Sequence, residues 1–173
     1  MRLAYADPPY VGLAKARYGE HRDYAGEVDH EALIAQLTGY DGWALSASPG
    51  SLVLILPMCP PGVRVAAWCK TWAASRPGVG ARPAWEPVIF RAARRSKHNE
   101  VWDWLACAPQ MMSEIVGQKP PQFCRWLFRL IGAAQEDSLD DLFPGSGAVG
   151  RAWAKYQSQG ELPFTPNERR RSA

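Results

Sequence analysis

Apolar and polar positions along this chain recur with two different periods, and the switches between them outline its elements. Arg2 to Ala6 is short, apolar and stopped by a proline pair, which predicts a strand ending at Asp7. Val11 to Glu27 is polar and rich in Gly, Arg and Tyr, the pattern of a loop. Asp29 is placed to cap a short helix over Glu31 to Leu37, with Leu33, Ile34 and Leu37 on one face. Trp43 to Ala47 reads as a second strand. The run Leu52 to Met58 fits helix or strand by period alone. Pro and Ser at its start, and Pro57 and Pro60 near its end, favour a helix.

Val63 to Cys69 predicts a third strand and Ala73 to Arg82 a loop. Trp85 to Phe90 predicts a fourth strand, where Pro87 argues for an edge position or a bulge. Residues 91–118 look irregular. From Pro121, residues Phe123, Trp126, Leu127, Leu130 and Ile131 recur at helical spacing, with Arg125 and Arg129 on the other face. Ser138 to Leu142 predicts a fifth strand, and a helix follows from about Ala148 to Tyr156. Strands alternating with helices imply an α/β sandwich with a mostly parallel sheet. Ligands of such sheets bind at the carboxyl ends of the strands.

At 173 residues and 47% hydrophobic, the chain suits one domain with a real core. The expected layout is a single domain over 1–160, a compact basic segment at 91–118 and a flexible tail over 161–173. A formal charge of +3 permits a polyanionic partner without demanding one. Cys59, Cys69, Cys107 and Cys124 include no C-x-x-C pair and read as buried reduced thiols. His21, His30 and His98 show no metal spacing. No apolar run reaches membrane-spanning length, and with no signal peptide ahead of Asp7 the expectation is a cytoplasmic protein.

Two short segments carry candidate chemistry. Asp7-Pro8-Pro9-Tyr10 follows the first strand. The Asp7 carboxylate and the Pro8 carbonyl offer two acceptors for the N–H groups of an exocyclic amine. Such an amine is a poor nucleophile because its lone pair is delocalised into the ring. Holding both N–H groups favours a nitrogen rehybridising toward tetrahedral, so the stabilisation grows along the reaction. Pro8 and Pro9 stiffen the loop. Tyr10 can stack on an extruded base, worth roughly 1–3 kcal/mol. A plain strand-terminating turn is the bland alternative. Phe143-Pro144-Gly145-Ser146-Gly147 stands between the last strand and the last helix, where glycines allow close backbone approach and a helix N-terminus offers free N–H groups. Gly145 to Gly150 also has P-loop spacing. Arg151 stands where that motif requires Lys, and no Ser or Thr follows, which argues against a triphosphatase. Arg91, Arg94, Arg95 and Lys97, followed by Trp102 and Trp104, could neutralise phosphates. A solvated loop with two core tryptophans fits that segment equally well.

The ordered set resembles the amino-group DNA methyltransferases that use S-adenosylmethionine, in the permuted beta-class order, over nearly the whole chain. The order is Asp7-Pro8-Pro9-Tyr10, a recognition segment midway, Lys119-Pro120 opening a helix, then Asp141-Leu142-Phe143-Pro144-Gly145-Ser146-Gly147. The resemblance implies a three-layer αβα Rossmann-like methyltransferase fold with S-adenosylmethionine as cofactor. It further implies methylation of N6 of a flipped adenine in DNA, in a bacterial or phage-encoded host cytoplasm, with a homodimer plausible. Carried over, Asp7, Pro8, Pro9 and Tyr10 would be catalytic. Asp7, Lys119, Pro120, Asp141, Phe143, Gly145, Ser146 and Gly147 would line the cofactor pocket. Arg91, Arg94, Arg95 and Lys97 would meet nucleic acid. No metal is implied. The chain departs from the family after the last helix, where a further strand should end in an acidic residue for the cofactor ribose. Glu161 is a weak substitute, so the sheet should be short at its cofactor end. RNA adenine methylation, or a degenerate homologue that only grips nucleic acid, are the alternatives.

Overall fold

Strand β1 (Arg2–Ala6) lies inside a mixed sheet and is hydrogen-bonded to a parallel neighbour on each side. The protein is seen as a computed structural model that describes residues 1–9, 26–73, 80–94, 101–110 and 118–159. The other strands are β2 (Gly42–Ser46), β3 (Arg64–Lys70), β4 (Trp85–Arg91), β5 (Trp104–Cys107) and β6 (Ser138–Asp141). Among the described residues they form one sheet in the order β5-β3-β4-β2-β1-β6. Only β4 runs against the rest: it is antiparallel to β2 and β3, while β1–β2, β1–β6 and β3–β5 are parallel.

Helices cover both faces, which gives the three layers expected. On one face lie α1 (His30–Thr38) and a helical turn α2 (Leu52–Ile55), flanked by 3-10 turns at Pro49–Ser51 and Leu56–Met58. Leu33, Ile34, Leu37 and Ile55 pack there against Ala4, Trp43, Leu45 and Ile89. On the other face lie α3 (Pro121–Leu130) and α4 (Ala148–Gln159). Phe123, Trp126, Leu127, Phe128 and Trp153 pack there against Leu3, Tyr5, Trp68, Val88 and Phe90. Period-two alternation in the strands sends odd and even residues to opposite cores.

Local chemistry sets the boundaries. The Asp29 carboxylate accepts from the Ala32 N–H, the cap that starts α1. Pro121 opens α3, where its missing N–H forfeits nothing. A helix as short as α3 is marginal alone. Its apolar stripe holds it, since fully burying a side chain such as Phe123 or Leu127 contributes roughly 1.5–3 kcal/mol.

Three expectations are corrected. Pro87 sits neither at an edge nor in a bulge: β4 is central, and Pro87 pairs in register with Ala67 of β3. Its carbonyl accepts from the Ala47 N–H, so its missing N–H also points toward β2, which is ending there. One rung at the end of a strand is all that the proline removes. Residues 91–118 are not wholly irregular, because Trp104–Cys107 forms β5 alongside β3. Four residues are too few for a period to stand out. The cysteines are free, with Cys107 and Cys124 buried but Cys59 and Cys69 only partly so. The loop at 11–25 and the tail from 160 lie outside the described residues. Among the described residues β6 is the edge strand on that side.

Candidate active site

Both motif loops leave the same end of the sheet. Tyr5 of β1 pairs with Asp141 of β6, and the Leu142 N–H donates to the Tyr5 carbonyl. Asp7 follows two residues after Tyr5, and the Gly145 turn four residues after Asp141. The two segments therefore emerge side by side at the carboxyl ends of adjacent parallel strands, where α/β sheets bind ligands. Burial raises the Asp141 carboxyl, and the Asp7 charge adds to it.

A buried charge cluster surrounds Asp7. Lys119 Nζ is 3.0 Å from Asp7 Oδ2 and 3.2 Å from Glu86 Oε2. Lys70 Nζ takes the other oxygen of Glu86. The Lys119 side chain is only 6% exposed, while Asp7 keeps a quarter of its surface. Its ammonium also sits 5.5 Å from the Trp68 ring centroid and 5.6 Å from that of Phe123. Burial pushes the Asp7 carboxyl up and Glu86 adds to this, while Lys119 opposes them. Burial works on Glu86 in the same direction, but Lys119 and Lys70 outweigh it and hold Glu86 below the usual carboxylate range. The Tyr5 hydroxyl, 2.8 Å from Ser46 Oγ, is held well above its ordinary value by burial and by Asp7.

The glycine turn holds a conformation that other residues rarely adopt. Gly145 (φ 45°) and Gly147 (φ 71°) occupy the left-handed region that favours glycine. The Gly147 N–H donates to the Pro144 carbonyl at 2.6 Å, and Arg151 donates back to the Ser146 carbonyl at 2.8 Å. Asp141 Oδ1 is buried and has no hydrogen-bond partner among the described residues. Burial raises its carboxyl, against the Phe143 N–H that it accepts. A buried carboxylate oxygen without a donor is costly.

The structure thus brings together Asp7, Pro8 and Pro9 with Asp141, Phe143, Gly145, Ser146 and Gly147. Lys119, expected against the cofactor, is found on the Asp7 carboxylate, and Pro120 behind it is buried. Arg91 and Arg94 lie elsewhere. Arg91 pairs with Trp43 at the amino end of β2, and Arg94 donates to Asp137 at the amino end of β6. Both are at the opposite end of the strands from Asp7. Tyr10, Arg95 and Lys97 lie outside the described residues. Glu86 and Lys70 went unnoticed in the sequence. The available signal was a charge on an inward position of each strand: Glu86 in line with Val88 and Phe90, and Lys70 in line with Ala66 and Trp68.

No protein-family model matches the sequence, nor does any curated protein. Solved structures do match. M1.HpyAVI in complex with SAM aligns with a TM-score of 0.63 at 17% identity, covering 90% of this chain and 78% of that one. A second structure of M1.HpyAVI aligns with a TM-score of 0.59 at 18% identity, covering 90% and 76%. At such identity the likeness establishes a shared fold.

Proposed function

We propose that this chain is an S-adenosylmethionine-dependent methyltransferase that acts on the N6 amine of adenine in DNA. The observation that carries this reading is the convergence of the Asp7 loop and the Asp141–Gly147 loop at one end of two adjacent parallel strands. The shared fold with a protein solved in complex with SAM supports it. The donor set suits the cofactor, because the buried, unpartnered Asp141 Oδ1 calls for a cationic group such as an amino-acid ammonium. Asp141, Phe143, Gly145, Ser146 and Gly147 would hold it. Bound there, it supplies an electrophilic methyl group on a sulfonium.

The chain's own residues handle the amine. Lys119 occupies Asp7 Oδ2, and the carboxylate has a second oxygen to offer one N–H. The Pro8 carbonyl accepts the other. Both acceptors point the nitrogen lone pair out of the ring plane as the new bond forms. The raised Asp7 carboxyl is a better base than an ordinary aspartate, suited to the proton that the methylated nitrogen sheds. A target inside a duplex must be extruded first.

The test is transfer of labelled methyl from S-adenosylmethionine to DNA, with the product identified as N6-methyladenine. Asp7→Ala should abolish transfer and leave the circular-dichroism spectrum unchanged. Absence of product with the wild-type chain, where a control enzyme succeeds, refutes the reading. Matched RNA substrates decide between DNA and RNA. Among the described residues no strand lies beyond β6, which favours one other reading, a nucleic-acid-binding homologue without cofactor affinity. A silent calorimetric titration with S-adenosylmethionine would select it.

A further inference from the structure

We propose that Lys119 and Glu86 are positioning residues for Asp7: Glu86 orients the Lys119 ammonium, which grips Asp7 by Oδ2 and keeps the carboxylate in its acceptor form. What Asp7 does for a substrate rests on the methyltransferase reading above; the hold of Lys119 on Asp7 does not.

The geometry leaves Lys119 little freedom. Its ammonium lies between Asp7 Oδ2 at 3.0 Å and Glu86 Oε2 at 3.2 Å, within reach of the Trp68 and Phe123 rings. Pro120 follows it in extended geometry and Pro121 starts α3, so the backbone that carries Lys119 is stiff. Glu86 is fixed in turn from its other side by Lys70. Three elements, the β3–β4 pair and the entry to α3, thus converge on the residue after β1.

The charge balance shows why a cation is needed. Among the described residues, Asp7 is faced by Tyr5 from β1, Lys70 from β3, Glu86 from β4, Lys119 ahead of α3 and Asp141 from β6. Three of these groups, counting Asp7 itself, are carboxyls, against two ammonium groups. Removing Lys119 would leave three carboxyls with Lys70 alone. With one cation gone and the site partly desolvated, the remaining carboxyls hold a proton more readily. Asp7 is the one that loses its direct partner. A protonated Asp7 has lost part of its acceptor capacity, and without the ammonium on Oδ2 the carboxyl can rotate.

Carbon NMR of the full chain, labelled in its aspartate carboxyls and titrated with acid, reads this directly. The Asp7 resonance is assigned by its loss in Asp7→Asn. Lys119→Met should raise the Asp7 midpoint by about 1–3 pH units, the range for losing an adjacent opposite charge. Glu86→Gln should lower it, because a like charge goes and Lys119 is left to Asp7. Lys119→Arg should restore most of the wild-type midpoint. If Lys119→Met does not fold, Lys119→Gln, which removes the charge but keeps a polar side chain between the two carboxyls, decides in its place. In parallel, the acid limb of the kcat profile for methyl transfer should move with the midpoint, which a merely structural role would not produce. An Asp7 midpoint unmoved by these substitutions overturns the proposal even if wild type methylates DNA. A limb that stays fixed while the midpoint moves overturns the link to turnover. If the midpoints move but wild type methylates neither DNA nor RNA, the methyltransferase reading falls and the grip of Lys119 on Asp7 stands.

Discussion

Replacing Arg94 by Met separates two roles for the basic segment that rest on different physics. As a phosphate ligand, Arg94 would contribute to DNA affinity and to its salt dependence. As placed, it donates from NH2 to Asp137 Oδ1 at 2.8 Å, beside the Met1 ammonium at the same distance, while the Ala134 N–H donates to Oδ2. The Asp137 side chain is fully buried and that of Arg94 is 27% exposed. This clasp ties the base of β1 to the base of β6 and to the chain after β4. Losing one hydrogen bond to a buried charge costs about 1.5–3 kcal/mol. For a chain of this size that lowers Tm by about 3–12 °C. Thermal unfolding followed by circular dichroism measures it. DNA binding titrated at several salt concentrations measures the other role, since each lost phosphate contact flattens the slope of log K against log salt by about 0.9. The structure predicts a lowered Tm and an unchanged slope. An unchanged Tm with a flattened slope would refute the clasp and restore Arg94 to the nucleic-acid surface. The pH dependence follows the same logic. Burial pushes the Asp137 carboxyl up, but the Met1 ammonium, Arg94 and the Ala134 N–H outweigh it and hold it below the usual range. The stabilisation is therefore present above the unfolded value of about 4 and is lost as pH falls through the lower folded value.

Asp141→Asn should weaken S-adenosylmethionine binding about ten- to hundredfold in calorimetry, the scale of one charged hydrogen bond. If Asp141 holds the cofactor through its ionised form, wild-type affinity should fall on acidification earlier than for an ordinary carboxylate, because burial and the Asp7 charge raise it; equal binding by the variant would contradict the assignment. Gly132→Ala should destabilise by at least about 1–2 kcal/mol from left-handed backbone strain, since Gly132 sits at φ 69° and a Cβ there would overlap the Arg94 carbonyl oxygen. Urea unfolding reads it, and an unchanged midpoint would contradict that close approach.

Near-neighbour patterns were legible along the chain. The stripe of Phe123, Trp126, Leu127 and Leu130 announced α3, the Asp29 cap announced α1, and the proline pair after Ala6 announced the end of β1. Each signal is a spacing of a few residues, and tertiary context reinforced it. The two loops also announced themselves, because acceptors beside a proline pair and glycines between strand and helix are local chemistry.

Pairing between distant strands was not legible, because register is set by the whole sheet. Pro87 is tolerated in a central strand only because β2 runs out beside it, a fact about the length of a neighbour. β5 exists because β3 offers an edge, not because its four residues demand extension. Lys119 and Glu86 stand 33 residues apart and meet through the packing of α3 on the sheet. Arg94 looks like any other cation in a basic run until Asp137 is buried beneath it. Residue types and their local periods specify which groups are on offer. Only the folded chain decides which opposite charge each buried group meets, because a charge taken out of water must find its partner wherever the sheet brings one.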